Sequence, residues 1–358
     1  MELIHVRIND EARASQIEFE DKNIISRFDK AEFVLGKKAS LDDNDFYIEL
    51  KINAFKHYDI KKEDLIFIAE SEYGGVVKKI DHSTDDIVKV SGPNWRYLLH
   101  NYVIFPKYDA TYSSRGDYLL INAEANKAIE TLMNNTYYSY YLKLFKVADT
   151  DSTVNLNFKA RYEYLYDKIV SILDSNDMRL KVYHSYDYDQ DSHIIVEAIK
   201  KNYIDDVFNG DYKMSINSVN DMTSSVDTIV ALGKGELHER DVVLIKHIIQ
   251  NGKDVFKSIE SLENDEVGTL NSSMYIYDYS SCESKDDLIN KAIEEFKNNH
   301  LEKTEITSSV SNIKKEFDLG DVITGVDDIT GLNVSSEITQ KKLTIQNGKV
   351  EVTYKVGD

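Results

Sequence analysis

The sequence predicts an α+β, β-rich fold in which sandwich or barrel units of short strands carry a helical insertion. Three observations predict it. Leu343 and Ile345 alternate with polar residues, Asn347-Gly348 follows, and Val350, Val352, Tyr354 and Val356 alternate again. An Asn-Gly pair between two period-two runs marks a two-residue hairpin, because that turn needs positive φ at both central positions. Short alternating runs then recur at close spacing through the first hundred residues, separated by polar turns. Between them and the later strands lie two stripes of apolar residues at helical spacing.

In chain order, residues 1–105 read as a first β unit. Ile4, Val6 and Ile8 alternate, as do Phe46, Ile48, Leu50 and Ile52. Leu65 to Ala69 is a continuous apolar run, and Val76 to Ile80 and Ile87 to Val90 follow. Ser91-Gly92-Pro93-Asn94 then breaks the pattern, and Trp95 to Leu99 opens a short helical piece. Residues 106–178 read as the helical insertion. Asn122 is the expected N-cap of a helix whose stripe is Ala125, Ala128, Ile129, Leu132 and Met133. Residues 134 to 159 show no clear period. A second stripe, Tyr162, Leu165, Tyr166, Ile169, Ile172 and Leu173, ends at Asp174 to Asp177.

Residues 179–260 read as a second β unit. Leu180, Val182 and His184 are expected to face Ile194, Val196 and Ala198. Ser215 to Val219, Thr228 to Leu232 and Val242 to Ile249 follow as strands, with Gly233-Lys234-Gly235 as a turn, and 251 to 280 are weakly patterned. Residues 261–358 hold one helix and the closing strands. Ser284, with Asp287 three residues on, is a variant capping box for the stripe Leu288, Ile289, Ala292, Ile293 and Phe296. Glu305 to Val310 is a strand, and Gly320-Asp321 opens the strand Val322 to Thr324. Gly325 and Gly331 bracket a loop holding Asp327 and Asp328.

Composition narrows the function. The chain has 358 residues, 43 basic against 63 acidic side chains and a formal charge of −20. That charge repels phosphate backbones and argues against sequence-specific nucleic-acid binding. A single cysteine, Cys282, rules out an internal disulfide, lacks metal-site spacing and reads as a free, partly exposed thiol. The N-terminus shows no signal-peptide pattern and no apolar run approaches a membrane span, so a soluble protein made in the cytoplasm is expected. The 24 tyrosines are read either as the mark of an AT-rich coding genome or as a large aromatic interface.

Chemistry-bearing motifs are scarce. The histidines are scattered singly, without H-E-x-x-H or other paired spacing. Asp187, Asp189 and Asp191 begin like a calcium loop, but the sixth position is Ser192 rather than Gly and the twelfth Ala198 rather than Glu. Asp205-Asp206 and Asp327-Asp328 read as loop acids. No phosphate-binding loop and no G-x-S-x-G elbow is present. Neither catalytic, metal nor cofactor residues are therefore assigned, and no enzyme is expected.

The order of several segments resembles the siphovirus-type phage tail proteins related to baseplate hubs and tail-associated proteins. The segments are Ala31 to Leu35; Gly75 to Ile80 with Val88 to Gly92 and Leu98-Leu99; the helices around Ala123 to Met133 and Tyr164 to Leu173; Ile229 to Gly233 with Glu239-Arg240; and Phe317 to Thr324 with Ile338-Thr339 and the closing hairpin. The Leu-Gly-Asp strand opening at Leu319 to Asp321 is the strongest of them. Lys30-Ala31 stands where relatives often place a glycine, and Pro93-Asn94-Trp95 interrupts the Gly-Leu-Leu segment. The resemblance implies two related β-barrels, with three copies forming a ring that joins the tail tube to the tip or spike. The partners implied are further copies of the chain, the tube protein and the tip, spike and other baseplate proteins, with no membrane. The expected location is the tail tip of a virion or a headless, bacteriocin-like particle, assembled in the bacterial cytoplasm and released on lysis. A tail-associated cell-wall hydrolase and a host-surface binding module are the alternatives. Gly92, Trp95, Gly320, Asp321, Gly325, Asn347 and Gly348 are the expected structural motif residues. Backbone geometry is expected to matter most at Gly92, Gly320 and Gly325.

Overall fold

The computed structural model describes residues 2–8, 19–82, 86–106, 118–136, 140–185, 193–208, 214–221, 225–250, 253–258, 273–301, 303–310, 317–326 and 333–357. The chain forms two compact units, Met1–Asn217 with Ile306–Gly357, and Ser218–Glu305. These units divide the chain differently from the four segments 1–105, 106–178, 179–260 and 261–358.

The larger unit is built on a four-stranded sheet in the order Phe19–Ile25, Leu3–Ile8, Leu65–Ile68, Gly74–Val76. All four residues of Leu65–Ile68 are buried. That explains a continuous apolar run where a half-buried strand would alternate: both faces of this sheet are covered. One face, with Leu3, Ile25, Ile66 and Ile68, packs on Phe33, Leu35, Phe46, Ile48, Leu50, Val90, Leu343 and Ile345 of a long antiparallel sheet. The other, with Ile4, Val6, Leu65 and Phe67, packs on the helices. Each large apolar side chain buried this way contributes about 1.5–3 kcal/mol.

The long sheet places Lys349–Val356, Asn333–Gln346, Lys30–Gly36, Asp45–Lys51, Ile87–Pro93 and Lys79–His82 side by side. The closing hairpin is found as expected, with φ of 52° at Asn347 and 74° at Gly348. It ties the end of the chain to its beginning, pairing Leu343 with Phe33 and Ile345 with Ala31. The strand does not stop before Ser91; it runs to Pro93, which pairs with Asp45 at its last position. Proline is tolerated there because the next residue already opens a helix. Among the described residues the sheets stack as a sandwich and none closes into a barrel.

The described residues include five α-helices: α1 Ile52–Tyr58, α2 Trp95–His100, α3 Ala125–Asn134, α4 Leu165–Asp174 and α5 Lys285–Glu295. Asn94 caps α2, accepting from the backbone N–H groups of Arg96 and Tyr97. Asn122 does not cap α3. It is paired with Asn157 in a two-stranded ribbon, Leu119–Glu124 with Asn155–Ala160, and the Glu124 carboxylate accepts from Asn126 and Lys127 instead. Tyr162 lies outside α4, with φ of 50°, because Tyr164 still bridges to Val103. The hairpin Met178–Ser185 with His193–Lys200 has the expected register, Leu180 facing Ala198, Val182 facing Val196 and His184 facing Ile194. Helices α2, α3 and α4, the ribbon and this hairpin share one core with the four-stranded sheet, while α1 packs through Ala54 and Tyr58 in the core under the long sheet.

The smaller unit has the strand order Lys253–Ser258, Val242–Gln250, Thr228–Leu232, Met274–Asp278, with α5 covering it through Leu288, Ala292 and then Phe296. Ser284 caps α5 as expected, its Oγ accepting from the N–H of Asp287 at 3.1 Å. Cys282 is buried rather than partly exposed. A turn closed by its N–H to Tyr279 O drives the thiol into the core beside Ile229 and Leu288.

One acid in the long sheet works against it. Asp45 is half-buried, and burial, then Glu32 and Asp42, push its carboxyl from 3.8 up to about 6. A carboxyl that binds its proton more tightly when folded loses stability as pH rises from about 4 to about 6, and the penalty is complete above that. The full shift would be worth about 3 kcal/mol, and solvent screening of a half-exposed group reduces it to about 1 kcal/mol. Asp45→Asn is therefore expected to raise the urea midpoint at pH 8 and to leave it unchanged near pH 4. An equal gain at both pH values would show that ionisation is not the cause.

Candidate functional site

The seven motif residues fall in four places. Gly92 and Trp95 meet where Ile87–Pro93 crosses Gly74–Val76. A Cβ on Gly92 would lie 1.9 Å from the carbonyl oxygen of Val76, and one on Gly75 would lie 2.1 Å from that of Pro93. The two backbones touch, so glycine is required for approach rather than for φ. Trp95 is almost fully buried and closes the crossing, its ring against Gly74 and Phe67. Beside it Arg96 donates to Glu72 Oε1 at 2.6 Å and to the Leu180 carbonyl at 2.9 Å, and the N–H of Val182 donates to the same Glu72 oxygen. This buried pair locks α2 to the hairpin.

Gly320 and Asp321 form the second place. The N–H of Asp321 donates to Asp318 O, closing a turn with Gly320 at its third position. Its φ of 91° is the left-handed conformation that this position favours in a turn of type II. Arg179, itself buried, reaches across from the hairpin. Its guanidinium lies 3.0 Å from Asp318 and 2.8 Å from Asp321. Burial opposes ionisation of Asp318, but Lys341, Arg179 and Lys181 outweigh it and hold the carboxyl below the usual range. Next to the turn, Lys37 bridges Asp174 at 2.7 Å and Glu337 at 2.6 Å, and Lys201 bridges the same two carboxylates. Burial would push the Lys37 amine down, but Glu337 and Asp174 outweigh it and hold the charge. A shallow crevice between these groups is lined by Lys37, Tyr166, Asp174, Arg179, Gly320 and Glu337.

Gly325 is the third place; the strand runs past Thr324 to include it, and the loop it was expected to bracket with Gly331 lies outside the described residues. Gly325 lies within Val322–Val326, paired with Val334 on one side and Phe208 on the other. Asn347 and Gly348 are the fourth, at the tip of the closing hairpin, where a Cβ on Gly348 would meet nothing. The arrangement as a whole is a set of braces with matched charges. Among the described residues no three His, Cys, Asp or Glu side chains gather as a metal site. Asp187, Asp189, Asp191, Asp327 and Asp328 lie outside the described residues, and Asp205-Asp206 fall within the strand Tyr203–Phe208. Sequence reading missed Arg179, Arg96 and Lys37, none of which stands in a local motif.

No protein-family profile and no curated protein matches this sequence. Solved structures do match it in fold. The prophage tail protein gp18 from Listeria monocytogenes EGD-e aligns with a TM-score of 0.52 at 12% identity, over 100% of this chain and 94% of that one. The 43 kDa tail protein of prophage MuSo2 from Shewanella oneidensis aligns with a TM-score of 0.55 at 12% identity, over 100% of both chains. The tail protein from Neisseria meningitidis MC58 aligns with a TM-score of 0.51 at 8% identity, over 100% of this chain and 96% of that one. The chain thus has the fold of these phage tail proteins.

Proposed function

We propose that this chain is a structural protein of a phage tail or phage-tail-like particle and serves there as the hub between tail tube and tip. The observation that carries the proposal is end-to-end likeness: the fold of three tail proteins covers the whole chain, with 94% or more of each of theirs. A shared fold does not by itself fix function. The site chemistry supports the same reading, because the charged groups at the Leu319 to Asp321 turn are spent on one another. In this reading the chain is not an enzyme and takes no cofactor. It assembles with further copies of itself as a homotrimer and contacts the tube protein on one side and the tip or spike and other baseplate proteins on the other. Two related β units would let a threefold ring meet a sixfold tube, through heterologous contacts that close. A surface charge of −20 would keep passing DNA from adhering.

Gold-labelled antibody imaging of particles released by the producing cells tests the proposal. Label confined to one end of the tail, at the tip, is the expected result. Label along the tail, or none on it, would overturn the hub assignment.

A further inference from the structure

One exposed face of the larger unit gathers two cations and several aromatic side chains. The ribbon Leu119–Glu124 with Asn155–Ala160 buries Ile121, Leu156 and Ala160 on its inner side. Its outer side presents Leu120, 76% exposed, and the residues flanking its strands add Tyr118 before Leu119 and Tyr162 and Tyr164 after Ala160, all more than 40% exposed. Two cations lie among them. Lys159 Nζ sits 4.8 Å from the Tyr118 ring centre, and the Arg161 guanidinium lies 5.6 Å from Tyr118 and 5.5 Å from Tyr162.

Many other cations of this unit are neutralised. Arg7, Lys37, Arg96, Lys168, Arg179 and Lys201 all have carboxylate partners. Among the described residues Lys159 and Arg161 have none. The nearest acid in sequence, Glu163, is engaged by Lys168 Nζ and by the backbone N–H of Arg161. In a chain with 63 acidic side chains, two cations left unpaired and held on exposed tyrosines are a surface set for an outside anion.

We propose that this face docks an acidic, partly apolar polypeptide segment of another protein. Arg and Tyr are the residue types that most often carry binding energy in protein interfaces, and Leu120 beside them adds exposed apolar surface. A guanidinium fork and an ammonium select carboxylates. Stacking of a sugar is disfavoured because the Tyr118 ring is already taken by two cations. The proposal does not depend on the tail reading.

The test uses the full chain and a fluorescein-labelled peptide that alternates glutamate with leucine and tyrosine, followed by anisotropy. Binding is expected at about 50 mM salt and is expected to weaken markedly at about 500 mM. Lys159→Glu with Arg161→Glu should weaken it at least about tenfold, Leu120→Ser should weaken it less, and Lys349→Glu in the closing hairpin, which belongs to a different sheet, should leave it unchanged. Both cations are exposed, so the melting curve should not move. No binding by the unaltered chain, or equal binding by the charge-reversed one, overturns the proposal. Polyphosphate competing as well as the peptide would make the face a general polyanion site and overturn it. So would self-association in sedimentation that the charge reversal abolishes, because the occupant would then be a second copy.

Discussion

Arg96→Ala is expected to destabilise the larger unit by about 3–5 kcal/mol, the usual effect of removing one partner from a buried ion pair. Glu72 and Arg96 are both buried, at 7% and 2% exposure. Without the guanidinium, the Glu72 carboxylate keeps only the Val182 N–H, and the Leu180 carbonyl loses its side-chain donor. Most of the loss is thus the burden of a stranded charge rather than the worth of the pair. That distinction is testable. Arg96→Met combined with Glu72→Gln removes both charges and keeps an acceptor for Val182. It should recover more than half of the stability lost in Arg96→Ala. Trp95 is the only tryptophan and is buried next to the pair, so its emission reports the unfolding of this unit in urea. Losses in Arg96→Met alone and Glu72→Gln alone that sum to the loss in the double would show that the pair is not coupled.

The fold was legible where local pattern and tertiary environment agree. The hairpin at Asn347-Gly348 satisfies period, turn chemistry and register at once. The α3 and α5 stripes were legible because one face of each helix is buried and the other is wet. The strands Phe145–Val147 and Asn155–Ala160 were not, since one is too short for a period and the other is half asparagine and lysine on a solvated ribbon. The end of the strand at Thr324 was misplaced because glycine usually marks a loop, yet Gly325 is accommodated within the strand and paired on both sides. The braces were illegible for a different reason. Lys37 and Glu337 are separated by 300 positions, and an ion pair has no periodicity to announce it. Only its glycine turn, Leu319 to Asp321, left a local trace.

That turn carries the second large effect. Gly320→Val should destabilise the larger unit by about 3 kcal/mol or more, from two sources. A β-branched residue at φ of 91° is strained by about 1–3 kcal/mol. Its Cβ would also lie 2.7 Å from the Cβ of Arg179, whose position is fixed by Asp318 and Asp321. Overpacking of that kind adds about 1–3 kcal/mol. The hairpin separates the two sources, because Gly348 has a comparable φ of 74° and a Cβ added there would have nothing within 4 Å. Gly348→Val should therefore show the strain alone. The difference between the two variants, read from urea midpoints by Trp95 emission, measures how rigidly Arg179 is held. Equal losses would mean that Arg179 moves aside freely and that the charged brace does not fix the turn. A larger loss at Gly320 would place the rigidity of this unit in the contact between hairpin and closing strands, which is where the chain's distant segments are joined.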